Sequence, residues 1–305
     1  MEAIFQTLTS SQAFWVFIAI FTGVALLMCA VGFKKFVWFL SVGYGLAVVG
    51  LGISYLVTGF VSGYWDIILI VQCILLMIYG GRLSLFLLIR EIKNATYRKV
   101  LKEATNEDKP MPFFLKFFIW VICAFLYVMQ TSPIFSRIFN NQLWIPNGSG
   151  DWHTYVLPII GIVISIIGII IESVADKQKS NQKKINPNMV ATKGLYKMVR
   201  CPNYFGEILF WTGIFVGSVT TLKTPGQWIL ASLGYICIVY IMINGSQRLD
   251  RRQEKNYGEK EEYRNYADHT PLIFPLLPIY HIGAYKVEDV EAKKQKRNKK
   301  EKNNG

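Results

Sequence analysis

The sequence has little charge, no metal-ligand spacing and no thiol framework, and each shortage narrows what it can be. Only 17% of its 305 residues are charged, below the roughly 25% usual for soluble domains. Its five cysteines (Cys29, Cys73, Cys123, Cys201, Cys237) show no CxxC spacing, and four lie in apolar runs, where a free thiol behaves as a small hydrophobe. The histidines His153, His269 and His281 are far apart and form no zinc signature. Neither a disulfide framework nor a structural metal is expected. No Gly-x-Gly-x-x-Gly follows a strand, so a dinucleotide site here would not be a Rossmann fold. The first apolar run is long enough to span a bilayer and lacks a basic segment before it, which argues against a cleaved signal peptide.

What is present is apolar and clustered. Hydrophobic residues make up 52% of the chain, gathered in runs that reach the roughly 20 residues a spanning helix needs. The runs predict an all-α, polytopic membrane helix bundle of about seven transmembrane helices. They lie near Phe14 to Val31, Phe36 to Phe60, Trp65 to Ile89, Phe113 to Met129 (ending before Pro133), Tyr155 to Ser173, Tyr204 to Val219 and Trp228 to Ile243. The net charge of +13 comes from Lys and Arg between and after the runs, which suits membrane topology and anionic lipid. No nucleic-acid-binding motif accompanies it, so nucleic acid is not an expected partner.

The basic residues also give an orientation. Lys34 and Lys35 mark the first connection. Arg90, Lys93, Arg98, Lys99, Lys102 and Lys109 mark the third. Lys177, Lys179, Lys183, Lys184, Lys193, Lys197 and Arg200 mark the fifth, and more follow in the tail. The second connection has none, the fourth only Arg137 and the sixth only Lys223. Positive residues favour the inside, so the N-terminus is expected outside and the C-terminus cytoplasmic. The setting is a multi-pass protein of a bacterial inner membrane or the endoplasmic reticulum. Three regions are expected: residues 1–110 with the first three spans and a basic loop, a membrane domain over 111–285, and a disordered basic tail over 286–305. The fourth connection also holds a formal Asn-x-Ser sequon at Asn147, a match that is usually unused.

Chemistry concentrates in the fifth connection. Pro202 is suited to the first position of a helix, and a helix N-terminus attracts anions. Lys193, Lys197 and Arg200 precede it, a plausible cradle for a phosphate-bearing ligand. Asn203 and Glu207 are four apart and share a helix face, as do Glu172 and Asp176. Arg248, Asp250, Arg251 and Arg252 follow the seventh span, and an arginine there can hold a phosphate bidentately. Interfacial polarity and a positive-inside anchor account equally well for these residues taken singly.

The stretch Gly194-Leu-Tyr-Lys-Met-Val-Arg-Cys-Pro-Asn-Tyr-Phe-Gly-Glu207 resembles the signature of the DUF1295, steroid 5-alpha-reductase-like membrane family. Glu172 to Asp176 is similar to the acidic pair before that signature. Tyr257, Gly258, Tyr263, Tyr266, Thr270 and Pro275 are similar to its closing pattern, and Arg82 to Arg90 to an earlier element. The likeness is specific over Glu172 to Pro275 and weak over the first two spans. It implies a multi-helix reductase that binds NADPH from the cytoplasmic side and passes hydride to a polarised carbon–carbon double bond of a lipid-like substrate. Carried over, Glu172, Asp176, Tyr196, Arg200, Asn203, Glu207, Arg248 and Arg252 would contact the cofactor. Tyr79, three residues before Arg82, would donate a hydrogen bond to the substrate carbonyl. Two positions depart from the pattern. Cys201 stands where the family usually has His, and a thiol is a poor proton carrier near neutral pH. The steroid reductases also pair their tyrosine with an early-span Glu, and the first two spans here hold no carboxylate.

Three functions are therefore set against each other: the NADPH-dependent reductase of a sterol-like, prenyl or fatty-acyl double bond; an S-adenosylmethionine-dependent membrane methyltransferase, since isoprenylcysteine and phospholipid methyltransferases share an Arg-His-Pro-x-Tyr-x-Gly type of turn; and a non-catalytic protein with a lipid or cofactor pocket. The Asn203–Glu207 pair and the acidic pair before it favour the first.

Overall fold

The computed structural model describes residues 10–93, 98, 111–140, 153–275, 277 and 279–280. The Asn147 sequon, Lys99, Lys102, Lys109 and the basic tail lie outside them. The described residues contain eight α-helices and no strand. In chain order these are α1 (Ser10–Cys29), α2 (Val42–Ser62), α3 (Ile67–Lys93), α4 (Phe113–Phe139), α5 (His153–Ile185), α6 (Pro202–Val216), α7 (Pro225–Tyr257) and α8 (Glu261–His269). Six stretches are long and apolar enough to cross a membrane: Ser11–Phe33, Phe36–Ser62, Ile67–Lys93, Phe113–Phe139, Tyr155–Ile185 and Pro225–Tyr257. The protein is a multi-pass integral membrane protein. The expected sixth span is α6, apolar but only 15 residues long.

Two compact units divide the chain: Met1–Ile169 with Ile208–Val239, and Ile170–Glu207 with Tyr240–Gly305. In the first, α2 and α3 form a hairpin. Gly63 closes α2 at φ 73°, and its N–H bonds the Phe60 carbonyl, a left-handed cap that glycine adopts without steric cost. Asp66 then starts α3, its carboxylate accepting the Leu69 N–H at 2.7 Å. α7 begins on a reciprocal cap. The Gln227 N–H bonds Thr224 Oγ1 and the Thr224 N–H bonds Gln227 Oε1, each at 3.3 Å, with Pro225 in the first helical position. Phe14, Phe17, Phe21, Tyr55 and Phe135 pack ring on ring between α1, α2 and α4, with Phe21 to Phe135 centroids 4.8 Å apart. Leu27 and Val61 are 75% exposed and Phe113 71%, the outward apolar surface of helices that face lipid.

α4 does not stop before Pro133 as the sequence suggests; it runs on to Phe139. Proline removes the N–H that the Met129 carbonyl would accept, and the Ser132 hydroxyl supplies that bond at 2.9 Å. Arg137, read as a loop residue, is consequently inside the helix and 1% exposed. It lies 3.7 Å from Asp66 at the start of α3 and donates towards the Gly217 carbonyl.

The second unit holds the far ends of α5 and α7, the start of α6, α8 and the segment after it. α5 continues through the Lys- and Gln-rich stretch to Ile185, and α7 through the arginine cluster to Tyr257. Lys, Gln, Glu and Arg are good helix formers, and no proline interrupts either stretch before Pro187 or Pro271. Met189, Val190, Tyr263 and Ala267 make one small core; Ala175, Ala191 and Tyr196 make another.

Candidate functional site

Tyr79 lies in the first unit, fully buried on α3. α3 comes unusually close to α2 beside it. A Cβ on Gly80 would meet the Gly45 carbonyl oxygen at 2.4 Å, and one on Gly45 would meet the Gly80 carbonyl oxygen at the same distance. Only glycine allows such an approach, and close glycine contacts are a common way for membrane helices to pack. The approach sets Tyr44 and Tyr79, the residues just before the two glycines, with their hydroxyls 3.2 Å apart. The Trp211 indole N–H from α6 donates to Tyr44 Oη at 2.7 Å. Phe210 stacks flat on the Tyr79 ring, with centroids 4.0 Å apart and planes 9° apart. Tyr127 packs on Tyr44 with centroids 4.9 Å apart and gives its own hydroxyl to the Phe39 carbonyl at 2.6 Å. A phenol is thus held in a wall of aromatic rings in the membrane interior.

The eight other candidate residues all fall in the second unit. Glu172 and Asp176 stand one turn apart on α5, the first buried and the second half-buried. A turn later, Gln178 Oε1 accepts the Leu195 N–H and Gln182 Oε1 accepts those of Thr192 and Lys193, each at 2.9 Å. α5 therefore carries the signature loop on its side chains. Gly194 is needed at this seat: its φ is 72°, and a Cβ there would lie 2.4 Å from the Gln178 side chain. Tyr196 is buried and donates to the Ala175 carbonyl at 3.3 Å. Burial, and then the neighbouring Asp176, push its phenol well above the ordinary range. Its carbonyl accepts the Tyr266 hydroxyl at 2.7 Å.

Arg200 is the best-anchored residue of the loop. It is 2% exposed. Its guanidinium pairs with Asp250 and donates to the carbonyls of Thr270 and Tyr280. Its backbone N–H bonds the Pro271 carbonyl at 2.8 Å, and that of Cys201 bonds Leu272 at 2.9 Å. The closing pattern of the sequence thus acts as a clasp on the Arg200–Cys201 peptide. Cys201 is wholly buried, and burial pushes its thiol up to about 12. It is a neutral packing group at working pH.

α6 starts at Pro202, as its sequence implies. In its first turns Asn203 Oδ1 is buried without a hydrogen-bond partner, and Glu207 is 7% exposed. The Tyr204 ring lies over Gly245 of α7, and Glu207, Arg248 and Arg252 are charges that act on its hydroxyl. Arg248 and Arg252, one turn apart on α7, are exposed. These groups offer a carboxylate, an unmet amide acceptor and two accessible cations at one end of α6. Among the described residues no His/Cys/Asp/Glu group could hold a metal ion.

The comparisons with known proteins bear on this arrangement. A family model described as "Protein of unknown function (DUF1295)" matches residues 31–270. The chain belongs to this family. The "3-oxo-5-alpha-steroid 4-dehydrogenase 1" of Rattus norvegicus is 22% identical over 158 residues, which cover 51% of this chain and 54% of that protein. The "Steroid 5-alpha-reductase DET2" of Arabidopsis thaliana is 35% identical over 66 residues, 21% of this chain and 25% of that one. The matches thus span about half the length of the first relative and a quarter of the second. No solved structure matches the chain.

Tyr44, Trp211, Asp250 and Arg137 were missed as site or structural residues in the sequence. Tyr44 and Trp211 read as ordinary aromatics of apolar runs, and nothing local marks their polar atoms as partners. Asp250 carried a signal, a lone acid among arginines, without a hint of which arginine it meets.

Proposed function

We propose that this DUF1295 protein is an integral membrane, NADPH-dependent reductase of a carbon–carbon double bond in a lipid-like substrate of sterol, prenyl or fatty-acyl type. The observation that carries the reading is the group at the start of α6 and the facing turns of α7. Asn203 Oδ1 is an unmet buried acceptor suited to an amide N–H, Glu207 is a buried carboxylate suited to hydroxyls, and Arg248 and Arg252 are cations suited to phosphate. Such a set fits a phosphorylated dinucleotide. The two relatives, named as steroid dehydrogenase and steroid reductase, supply the reaction class.

In this reading, bound NADPH would supply the hydride to one carbon of the double bond, and a proton taken up from solvent would complete the reduction at the other. Arg200, already committed to Asp250 and two carbonyls, fixes the loop instead of gripping phosphate. Tyr79 donates its phenol hydrogen bond to a carbonyl conjugated with the double bond, drawing electron density from the carbon that is to be reduced. A buried donor aimed at developing negative charge is worth roughly a hundredfold or more in rate. The aromatic wall around it excludes water and suits an apolar substrate.

The test uses the full chain in detergent. NADPH at about 100 times its dissociation constant should stabilise the protein by roughly 2.7 kcal/mol in thermal unfolding, and S-adenosylmethionine should not. NADPH should be consumed with a conjugated carbonyl lipid from a panel of sterol, prenyl and acyl types. Asn203→Ala and Glu207→Gln should each abolish the NADPH shift while leaving the unliganded midpoint within a few degrees. Stabilisation by S-adenosylmethionine alone would move the assignment to methyl transfer. Binding of NADPH with no turnover across the panel would leave a cofactor-binding protein that does not reduce such lipids.

A further inference from the structure

We infer that Tyr44 is a positioning residue for the phenol of Tyr79, with Trp211 holding it in that role; the inference rests on the reading of Tyr79 as the donor to substrate. Both tyrosines are buried, Tyr44 to 5% and Tyr79 completely, and Trp211 is 2% exposed. An indole N–H can only donate, so at 2.7 Å the Tyr44 oxygen must accept from Trp211. The Tyr44 hydroxyl also lies 3.2 Å from Tyr79 Oη. A phenol carries one proton. Either phenol can donate across this contact; in the proposed arrangement Tyr44 donates to the Tyr79 oxygen, which holds the Tyr79 hydroxyl in place for the substrate carbonyl. Run in that direction, from Trp211 N–H through Tyr44 O–H to Tyr79 O–H, each bond strengthens the next donor.

No carboxylate can take this part from α1 or α2, because neither helix contains Asp or Glu. The ring geometry fixes the relay as well. Phe210 stacks on Tyr79 and Tyr127 on Tyr44, so neither hydroxyl can leave the line without its ring leaving its stack. The Gly45–Gly80 contact brings the helices close enough for the two hydroxyls to meet. The electrophile of this protein is therefore a relay of neutral groups, with no fixed negative charge from the first two helices.

The experiment is a double-mutant cycle on turnover with NADPH and a conjugated carbonyl lipid, for Tyr44→Phe, Tyr79→Phe and the pair. Phenylalanine keeps both ring stacks. Tyr44→Phe is expected to lower kcat by roughly tenfold to a hundredfold with KM within about twofold, the split expected when an interaction acts mainly in the transition state. The double variant should be no slower than Tyr79→Phe alone, because Tyr44 works through Tyr79. Trp211→Phe, which removes the donor to Tyr44 together with part of a buried ring, should lower kcat in the same direction by less. An unchanged kcat in Tyr44→Phe, or losses that multiply in the double variant, would overturn the relay while leaving Tyr79 in place. An active Tyr79→Phe would overturn the assignment of Tyr79 itself, and the relay with it. Thermal midpoints of all four proteins are read alongside, and a loss of kcat that merely follows a lost midpoint in both Tyr44→Phe and Trp211→Phe counts against the relay.

Discussion

Arg200 and Cys201 show how neighbouring residues of one motif take opposite parts. Arg200 spends its guanidinium on three directions at once, towards Asp250, Thr270 and Tyr280. A lysine has a single ammonium on a flexible stem and cannot reproduce a planar fork. Arg200→Lys should therefore destabilise the protein nearly as much as Asp250→Ala, each by about 3 kcal/mol or more, the usual cost of leaving a buried charge without its partner. Midpoints in a chemical denaturation series would read this; Arg200→Lys near the native midpoint would mean the fork is not needed. Cys201 contributes through its neutrality. Its thiol is raised from 9.0 to about 12 by burial, so the folded state keeps a proton that the unfolded chain releases above about pH 9. The unfolded state then binds fewer protons, and stability falls as pH rises. The fall is up to about 1.4 kcal/mol per pH unit for one group, starting near pH 9 and complete near 12. Tyr196, Tyr263 and Tyr266, raised mainly by burial, add in the same direction. Cys201→Ser should flatten the decline of the thermal midpoint between pH 9 and 11. Parallel curves for the two proteins would show that the thiol is not held neutral by the fold.

At the scale of the element, backbone contacts decide what side chains can do. The α2–α3 crossing at Gly45 and Gly80 has no room for a methyl group, and the side chains it aligns are Tyr44 and Tyr79. Gly80→Ala must push the helices apart by a few tenths of an ångström at least, which lengthens a hydroxyl contact already at 3.2 Å. Turnover should fall roughly tenfold or more, since small misplacements of positioned groups have large effects on rate. The NADPH-induced thermal shift should stay, because the proposed cofactor residues lie in the other unit. Loss of both together would mean that the crossing serves global folding and not the phenol pair. Helix existence was legible from apolar runs, and the Pro202 start from the proline itself. Helix ends were not. α4 passes Pro133 because a serine one position earlier replaces the missing hydrogen bond, a compensation that periodicity does not reveal. α5 and α7 continue as polar helices past the apolar runs that announce them. The site shows the same division. Its sequence-local part, from Glu172 to Glu207, was readable from motif residues. Tyr44 and Trp211, brought to Tyr79 from 35 and 132 positions away along the chain, were not.

For the whole molecule, the relocation of Arg137 sharpens the charge pattern that sets topology. With Arg137 inside α4 and facing Asp66, the fourth connection carries no Lys or Arg, and the second carries none either. Lys223 is then the single basic residue across the second, fourth and sixth connections, against the Lys- and Arg-rich first, third and fifth connections and tail. Such an asymmetry favours the basic connections inside. It also bears on α6, whose 15 residues rise only about 22 Å, short of the roughly 30 Å hydrocarbon core. α7 is 33 residues long and crosses by any measure. If α6 did not cross, the Lys-rich fifth connection and the basic tail would lie on opposite sides, against the pattern of every earlier connection. We therefore predict that α6 completes a crossing, helped by the turn that follows it at Val219–Thr221, and that the N-terminus is outside and the tail cytoplasmic. Single cysteines placed at Glu2, Lys223 and Lys299 in a background without reactive thiols would be probed with a membrane-impermeant maleimide on intact cells. Positions 2 and 223 should label before permeabilisation and position 299 only after it. Position 223 labelling only after permeabilisation, with position 299 labelling before it, would show that α6 turns back within the membrane and that the tail lies outside.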